Sequence, residues 1–71
     1  MRRQRVESSA ISSVGYDPES SVMEIEFQSG SVYLYHEVPA ALFESFLAAS
    51  SKGRFVSENI RSRFPSERLE I

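Results

Sequence analysis

Four cations fall between positions 52 and 63, Lys52, Arg54, Arg61 and Arg63, against the single acid Glu58. Cations at this density suit phosphate oxygens. The Ser50-Ser51-Lys52-Gly53 stretch ahead of them offers free backbone N–H groups at the start of a helix, a natural place for an anion. The plainer reading is a capped helix with solvated basic side chains, and the local pattern favours it somewhat. Ser-Lys-Gly lacks the G-x-x-x-x-G-K-S/T spacing, so an NTP-binding loop is excluded. Tyr33 and Tyr35, two apart on one strand, have the spacing of a platform on which bases stack. Aromatic core packing is the commoner role for such a pair, and we prefer it here. Glu24, Glu26 and His36 bring two carboxylates and one imidazole within reach of one sheet face. A metal site needs three or four converging ligands with support behind them, which an open sheet face rarely supplies. We therefore expect no metal and no cofactor. A single histidine supports no Ser-His-Asp arrangement, and Glu24 with Glu26 lacks the cleft that an acid pair requires. The expectation is a protein that is not an enzyme.

The chain that must position these groups has 71 residues, the size of one domain. A domain this small buries only about 60% of its unfolded surface, which leaves little structure to spare for a carved-out active site. An apolar content of 41%, with five Phe and three Tyr, is enough for a core and argues against disorder. There is no cysteine, which excludes disulfides, thiolate zinc sites and a Cys nucleophile. That absence fits a reducing compartment, and we expect a cytoplasmic protein. Met1-Arg2-Arg3-Gln4-Arg5 is basic but no apolar stretch follows, so it is neither a secretory signal nor an anchor. No run approaches the ~18 apolar residues of a membrane span. Net charge is −2, but its sign is uneven. Asp17, Glu19, Glu24, Glu26, Glu37 and Glu44 occupy a stretch with no Lys or Arg, whereas the segment from Lys52 to Arg63 is basic.

The pattern along the chain predicts an α+β fold, a three-stranded antiparallel meander followed by two helices packed on one sheet face (β-β-β-α-α). Residues 1–8 read as a flexible basic tail, 9–64 as one domain and 65–71 as a C-terminal tail, with Leu69 and Ile71 candidates to dock on the sheet. Ala10 to Tyr16 is an irregular first strand in which Gly15 marks a bulge or a close approach. Asp17-Pro18-Glu19-Ser20 is a turn. Val22 to Gln28 alternates as a half-buried strand does, with Met23, Ile25 and Phe27 on one face. Ser31 to Val38 is the third strand, and the turn before it decides the tyrosines' face. A two-residue turn pairs Ile25 with Leu34, whereas a three-residue loop with left-handed Gly30 pairs Ile25 with Tyr33 and Met23 with Tyr35. We prefer the second, because Ser29 is a poor first residue for a type I′ turn. It buries Tyr33 and Tyr35 and leaves Val32 and Leu34 on the acidic face. Pro39 suits the first position of a helix with Leu42, Phe43, Phe46 and Leu47 as its apolar stripe. A serine caps the next helix, which buries Phe55, Val56, Ile60 and Phe64, carries Arg61 and Arg63 at its C-terminal end and stops at Pro65.

In this order the elements resemble the KTSC domain family, found also at the C-terminus of some lysyl-tRNA synthetases. The resemblance rests on Val14-Gly15-Tyr16-Asp17, Met23-Glu24-Ile25-Glu26-Phe27, Gly30, Tyr33-Leu34-Tyr35, Val38-Pro39 and Ser51-Lys52-Gly53-Arg54-Phe55 leading to Asn59-Ile60-Arg61. It covers roughly residues 8–64. The family also occurs as small stand-alone bacterial proteins, which this chain looks like. The resemblance implies a fold unit and, through the synthetase context, RNA as a partner; it assigns no mechanism. The chain lacks a synthetase's catalytic domain, so aminoacylation is not expected.

Two functional expectations follow. One is a module that binds RNA or another polyanion through Lys52, Arg54, Arg61 and Arg63, with the N-terminal arginines as further contacts. The other is a protein-interaction or self-association module that uses Val32 and Leu34 on the open sheet face. Neither involves a membrane.

Overall fold

The structure is a computed structural model that describes residues 3–69. Five strands form one antiparallel sheet in the order of the chain: β1 (Arg3–Arg5), β2 (Ile11–Asp17), β3 (Val22–Phe27), β4 (Val32–Tyr35) and β5 (Ser66–Leu69). Two helices, α1 (Ala40–Ala48) and α2 (Lys52–Asn59), lie between β4 and β5 in sequence. The α+β class and the β-β-β-α-α core stand, but the sheet has five strands rather than three. Both segments expected to be tails contribute an edge strand. Arg3 pairs with Gly15 on one side, and Leu69 pairs with Val32 on the other. Leu69 thus docks on the sheet; Ile71, expected to do the same, lies outside the described residues.

The register of the β3–β4 hairpin follows from one glycine. Gly30 has φ of 97°, its N–H donates to the Phe27 carbonyl at 2.9 Å, and the Phe27 N–H donates to the Ser31 carbonyl at 2.9 Å. This closes a three-residue loop, and Met23 pairs with Tyr35 and Ile25 with Tyr33 as expected. The bulge in β2 falls between Ile11 and Ser13, not at Gly15. The extra residue there shifts the alternation, so that Ile11 and Val14, three apart, both reach the core.

Ile11, Val14, Met23, Ile25 and Tyr35 of the sheet share one buried cluster with Phe46 of α1, Val56 of α2 and Ile60, so both helices cover the same sheet face. Pro39 is the N-cap of α1 rather than its first helical residue; its extended ψ of 146° leaves its carbonyl free to accept from the Leu42 N–H at 3.0 Å. Ser51 caps α2, with its carbonyl accepting from the Phe55 N–H at 3.0 Å and no bond from its side chain. Helix α2 stops at Asn59, where the Arg61 N–H donates back to the Val56 carbonyl at 2.8 Å. Arg61 and Arg63 therefore lie in the turn after α2 and not on the helix itself. Among the described residues no helix is long and apolar enough to cross a membrane.

Candidate functional site: a cation-lined double cleft

On the helix-covered side, near the loop joining β3 to β4, two clefts meet. The first, about 610 Å³, lies between the β1–β2 loop and the first turns of α2. Its cations are Lys52, Arg54 and Arg61, and five serines (Ser8, Ser9, Ser50, Ser51 and Ser57) line it. Among the described residues Glu7 is its one lining acid. The second, about 410 Å³, is formed by Gln28, Ser29 and Ser31 of the β3–β4 loop with Tyr33, Tyr35 and Arg61. Among the described residues no carboxylate lines it. Ala10, Phe27 and Arg61 belong to both clefts, so Arg61 stands at their junction.

The walls are held by close packing. A Cβ built on Gly53, in the first turn of α2, would meet the Ala10 Cβ at 3.0 Å. The bare glycine lets α2 approach the β1–β2 loop closely. Ser8 shapes that loop: its Oγ accepts from the Ala10 and Ile11 N–H groups at 3.1 and 3.2 Å.

The four cations singled out from the sequence differ in their surroundings. Lys52 Nζ donates to the Ala49 carbonyl at 3.0 Å and sits 5.9 Å from the Phe46 ring centroid, so it anchors the end of α1 while lining the cleft. Arg54 Nε donates to Glu58 Oε2 at 3.0 Å, an exposed i,i+4 pair that offsets its charge. Arg61 is exposed and has no carboxylate partner among the described residues. Arg63 is exposed and lines neither cleft. A fifth cation escaped the sequence reading. Arg68 lies opposite Tyr33 in the β4–β5 ladder and donates from Nη2 to Ser31 Oγ at 3.2 Å, at the rim of the second cleft. Only recognition of β5 as a strand could have pointed to it.

Tyr35 is 2% exposed and belongs to the core, as expected, while Tyr33 is half-buried and packs against it. The two rings stack at 6.2 Å between centroids, and Phe27 meets Tyr33 edge-on at 5.8 Å. Among the described residues no hydrogen bond ends on the Tyr35 hydroxyl, and that oxygen is not sealed from solvent; Tyr35 lines the second cleft. Burial pushes the hydroxyl's pKa up, with the nearby Arg61 charge pulling it back down and Tyr33 adding to the rise.

The opposite sheet face is not the open apolar surface expected. Val32 is 3% exposed, because it lies between Glu26 and Leu69 in the ladder and β5 covers the side expected to be a free edge. Leu34 is half-buried between Glu24 and Glu67. The carboxylates are paired: Arg3 Nε lies 2.9 Å from Glu24 Oε2 and Nη1 3.6 Å from Glu26 Oε1, and Ser13 Oγ donates to Glu26 Oε1 at 2.9 Å. His36 Nε2 and Glu67 Oε1 are 2.9 Å apart. Among the described residues no group of three His, Cys, Asp or Glu side chains is placed to hold a metal.

A five-stranded antiparallel sheet with two helices on one face and a cation-bearing double cleft beside them defines a small α+β domain. The profile of the KTSC domain family matches residues 7–64, and the chain belongs to that family. A crystal structure of a KTSC domain protein from Yersinia pestis superposes with a TM-score of 0.94 at 39% identity, covering 97% of both chains. A protein from Tsukamurella paurometabola is 49% identical over 86% of this chain and 91% of its own length. A lysine–tRNA ligase from Nostoc punctiforme is 38% identical over 89% of this chain, a stretch amounting to 11% of the enzyme.

Proposed function

We propose that this domain binds RNA or a related polyanion through the cleft lined by Lys52, Arg54 and Arg61, and that it acts by binding rather than by catalysis. The observation that carries this reading is convergence. Cations nine positions apart in sequence line one cleft, and the one at its inner junction, Arg61, has no carboxylate partner among the described residues. A relative named as a lysine–tRNA ligase, an enzyme that handles RNA, supports the choice of polyanion. Arg63 and Arg3 receive less support: Arg63 lies off the cleft, and Arg3 is engaged by Glu24 and Glu26, while Arg2 lies outside the described residues. The alternative, protein contact through the outer sheet face, loses Val32 to burial and keeps Val22, Leu34 and Leu69 as half-buried apolar residues.

The test is titration of a short fluorescent RNA at several salt concentrations. Three phosphate contacts on a single strand give a slope of log K against log salt of about −2, or roughly 20-fold between 50 and 200 mM. Arg61→Glu removes most of the binding. Binding that is absent, or indifferent to charge reversal at both Arg54 and Arg61, rules the reading out.

A further inference from the structure

We infer that the second cleft seats a single unpaired nucleobase, and hence that the polyanion is single-stranded nucleic acid rather than a duplex or a bare phosphate chain. This rests on the polyanion reading above and adds the base. Three observations support it. The cleft, at about 410 Å³, has the volume of a small-ligand site, within the range of about 300–1,000 Å³. Its lining combines aromatic rings with hydrogen-bonding groups and, among the described residues, no carboxylate, which suits a flat, polar-edged heteroaromatic ring next to a negative charge. Tyr35, 2% exposed, also lines the cleft, and its hydroxyl, reachable from solvent, has no protein hydrogen-bond partner among the described residues.

The chemistry follows from the arrangement. A base entering beside Tyr33 gains aromatic contact, and its edge reaches the Tyr35 hydroxyl, which can donate or accept. Gln28 uses its Nε2 on the Ser8 and Ile11 carbonyls at 3.3 and 3.4 Å, which leaves its amide oxygen as an acceptor. Arg61 lines both clefts and can hold the phosphate that links this base to the backbone running past Lys52. A paired base cannot reach a hydroxyl this recessed without leaving its stack, so the site selects single strands.

The experiment compares three probes at 50 mM salt: an oligouridylate pentamer, the matching oligothymidylate and a polyphosphate of equal charge. Each is titrated against the parent, Tyr35→Phe and Tyr33→Ala, with circular dichroism to confirm folding. The chain contains no Trp, so its three tyrosines report stacking directly by fluorescence quenching. The expected result is tighter binding of the oligonucleotides than of polyphosphate, with tyrosine quenching by the oligonucleotides alone. Tyr35→Phe, which keeps the ring, lowers oligonucleotide affinity about 3- to 10-fold and leaves polyphosphate unchanged. Tyr33→Ala lowers it at least about fivefold. The ratio of ribose to deoxyribose affinities tells which nucleic acid is preferred. Equal binding of all three probes, with Tyr35→Phe silent, overturns the base seat and leaves the polyanion reading standing. No binding of any probe overturns both.

Discussion

Replacing Tyr16 with phenylalanine removes one oxygen from the junction between β2 and the entry to α1. That hydroxyl donates to the Val38 carbonyl at 2.6 Å, while the ring stacks on Phe43 with centroids 4.9 Å apart. Phenylalanine keeps the stack and loses the donor. Val38 is fully buried, and among the described residues no other group donates to its carbonyl. The change therefore strands a buried acceptor, which costs about 1–3 kcal/mol. In a chain this short, total stability is only about 4–10 kcal/mol. Each kcal/mol moves the midpoint of a domain of this size by roughly 4–8 °C. We expect Tm to fall by roughly 4–24 °C, read by far-ultraviolet circular dichroism and cross-checked by urea midpoints. Tyr33→Phe is the internal control: no hydrogen bond ends on its hydroxyl among the described residues, so its loss costs under about 0.5 kcal/mol. A Tyr16→Phe protein within about 0.3 kcal/mol of the parent, or one no less stable than Tyr33→Phe, refutes the reasoning.

Gly30→Ala places a Cβ at φ of 97°, a strained conformation costing about 1–3 kcal/mol although the space around it is open; urea unfolding should show the loss without a change in slope. Arg3→Glu sets a third carboxylate beside Glu24 and Glu26; it should destabilise the domain in low salt, and the effect should shrink at 1 M salt. Because burial raises the Tyr35 pKa, the unfolded chain releases that proton first. Stability is fully held below the ordinary tyrosine value near 10 and declines as pH rises through the higher folded value, a decline that Tyr35→Phe should reduce. Asp17 acts in the opposite sense. Its carboxylate accepts from the Ser20 hydroxyl at 2.9 Å and the Glu19 N–H at 3.0 Å, which lowers its pKa; its contribution is held above pH 3.8 and lost as pH falls, and acid unfolding of Asp17→Asn should show a smaller acid loss.

The hairpin register was legible because a single residue controls it: Gly30 supplies the left-handed conformation that a three-residue loop needs, and this puts Tyr33 and Tyr35 on the core side. The edge strands were not legible. Arg3-Gln4-Arg5 and Ser66-Glu67-Arg68-Leu69 are short and polar, with no apolar alternation; pairing with an existing sheet and ion pairs such as Arg3–Glu24 hold them, and neither leaves a local signal. Missing β5 made Val32 look exposed and hid Arg68. The β2 bulge falls at Ser12, so of the two readings of Gly15, a bulge or a close approach, the first does not hold: a glycine marks a permissive position, whereas a bulge depends on what the partner strand offers. The basic segment was visible as composition. Its division was not: the turn that ends α2 swings Arg61 onto the cleft and leaves Arg63 outside it. The Tyr35 hydroxyl beside Arg61, with no hydrogen-bond partner among the described residues, arises only when β4 and the end of α2 come together, so no sequence pattern announces it.

The most direct test of the central claim is the salt dependence of RNA affinity for the parent and for Arg61→Glu, measured by fluorescence anisotropy between 50 and 200 mM salt. The cleft predicts a slope of about −2 for the parent, with most of the binding lost in the variant while its circular dichroism and Tm are retained. A flat salt dependence, or an Arg61→Glu protein that binds as the parent does, contradicts it.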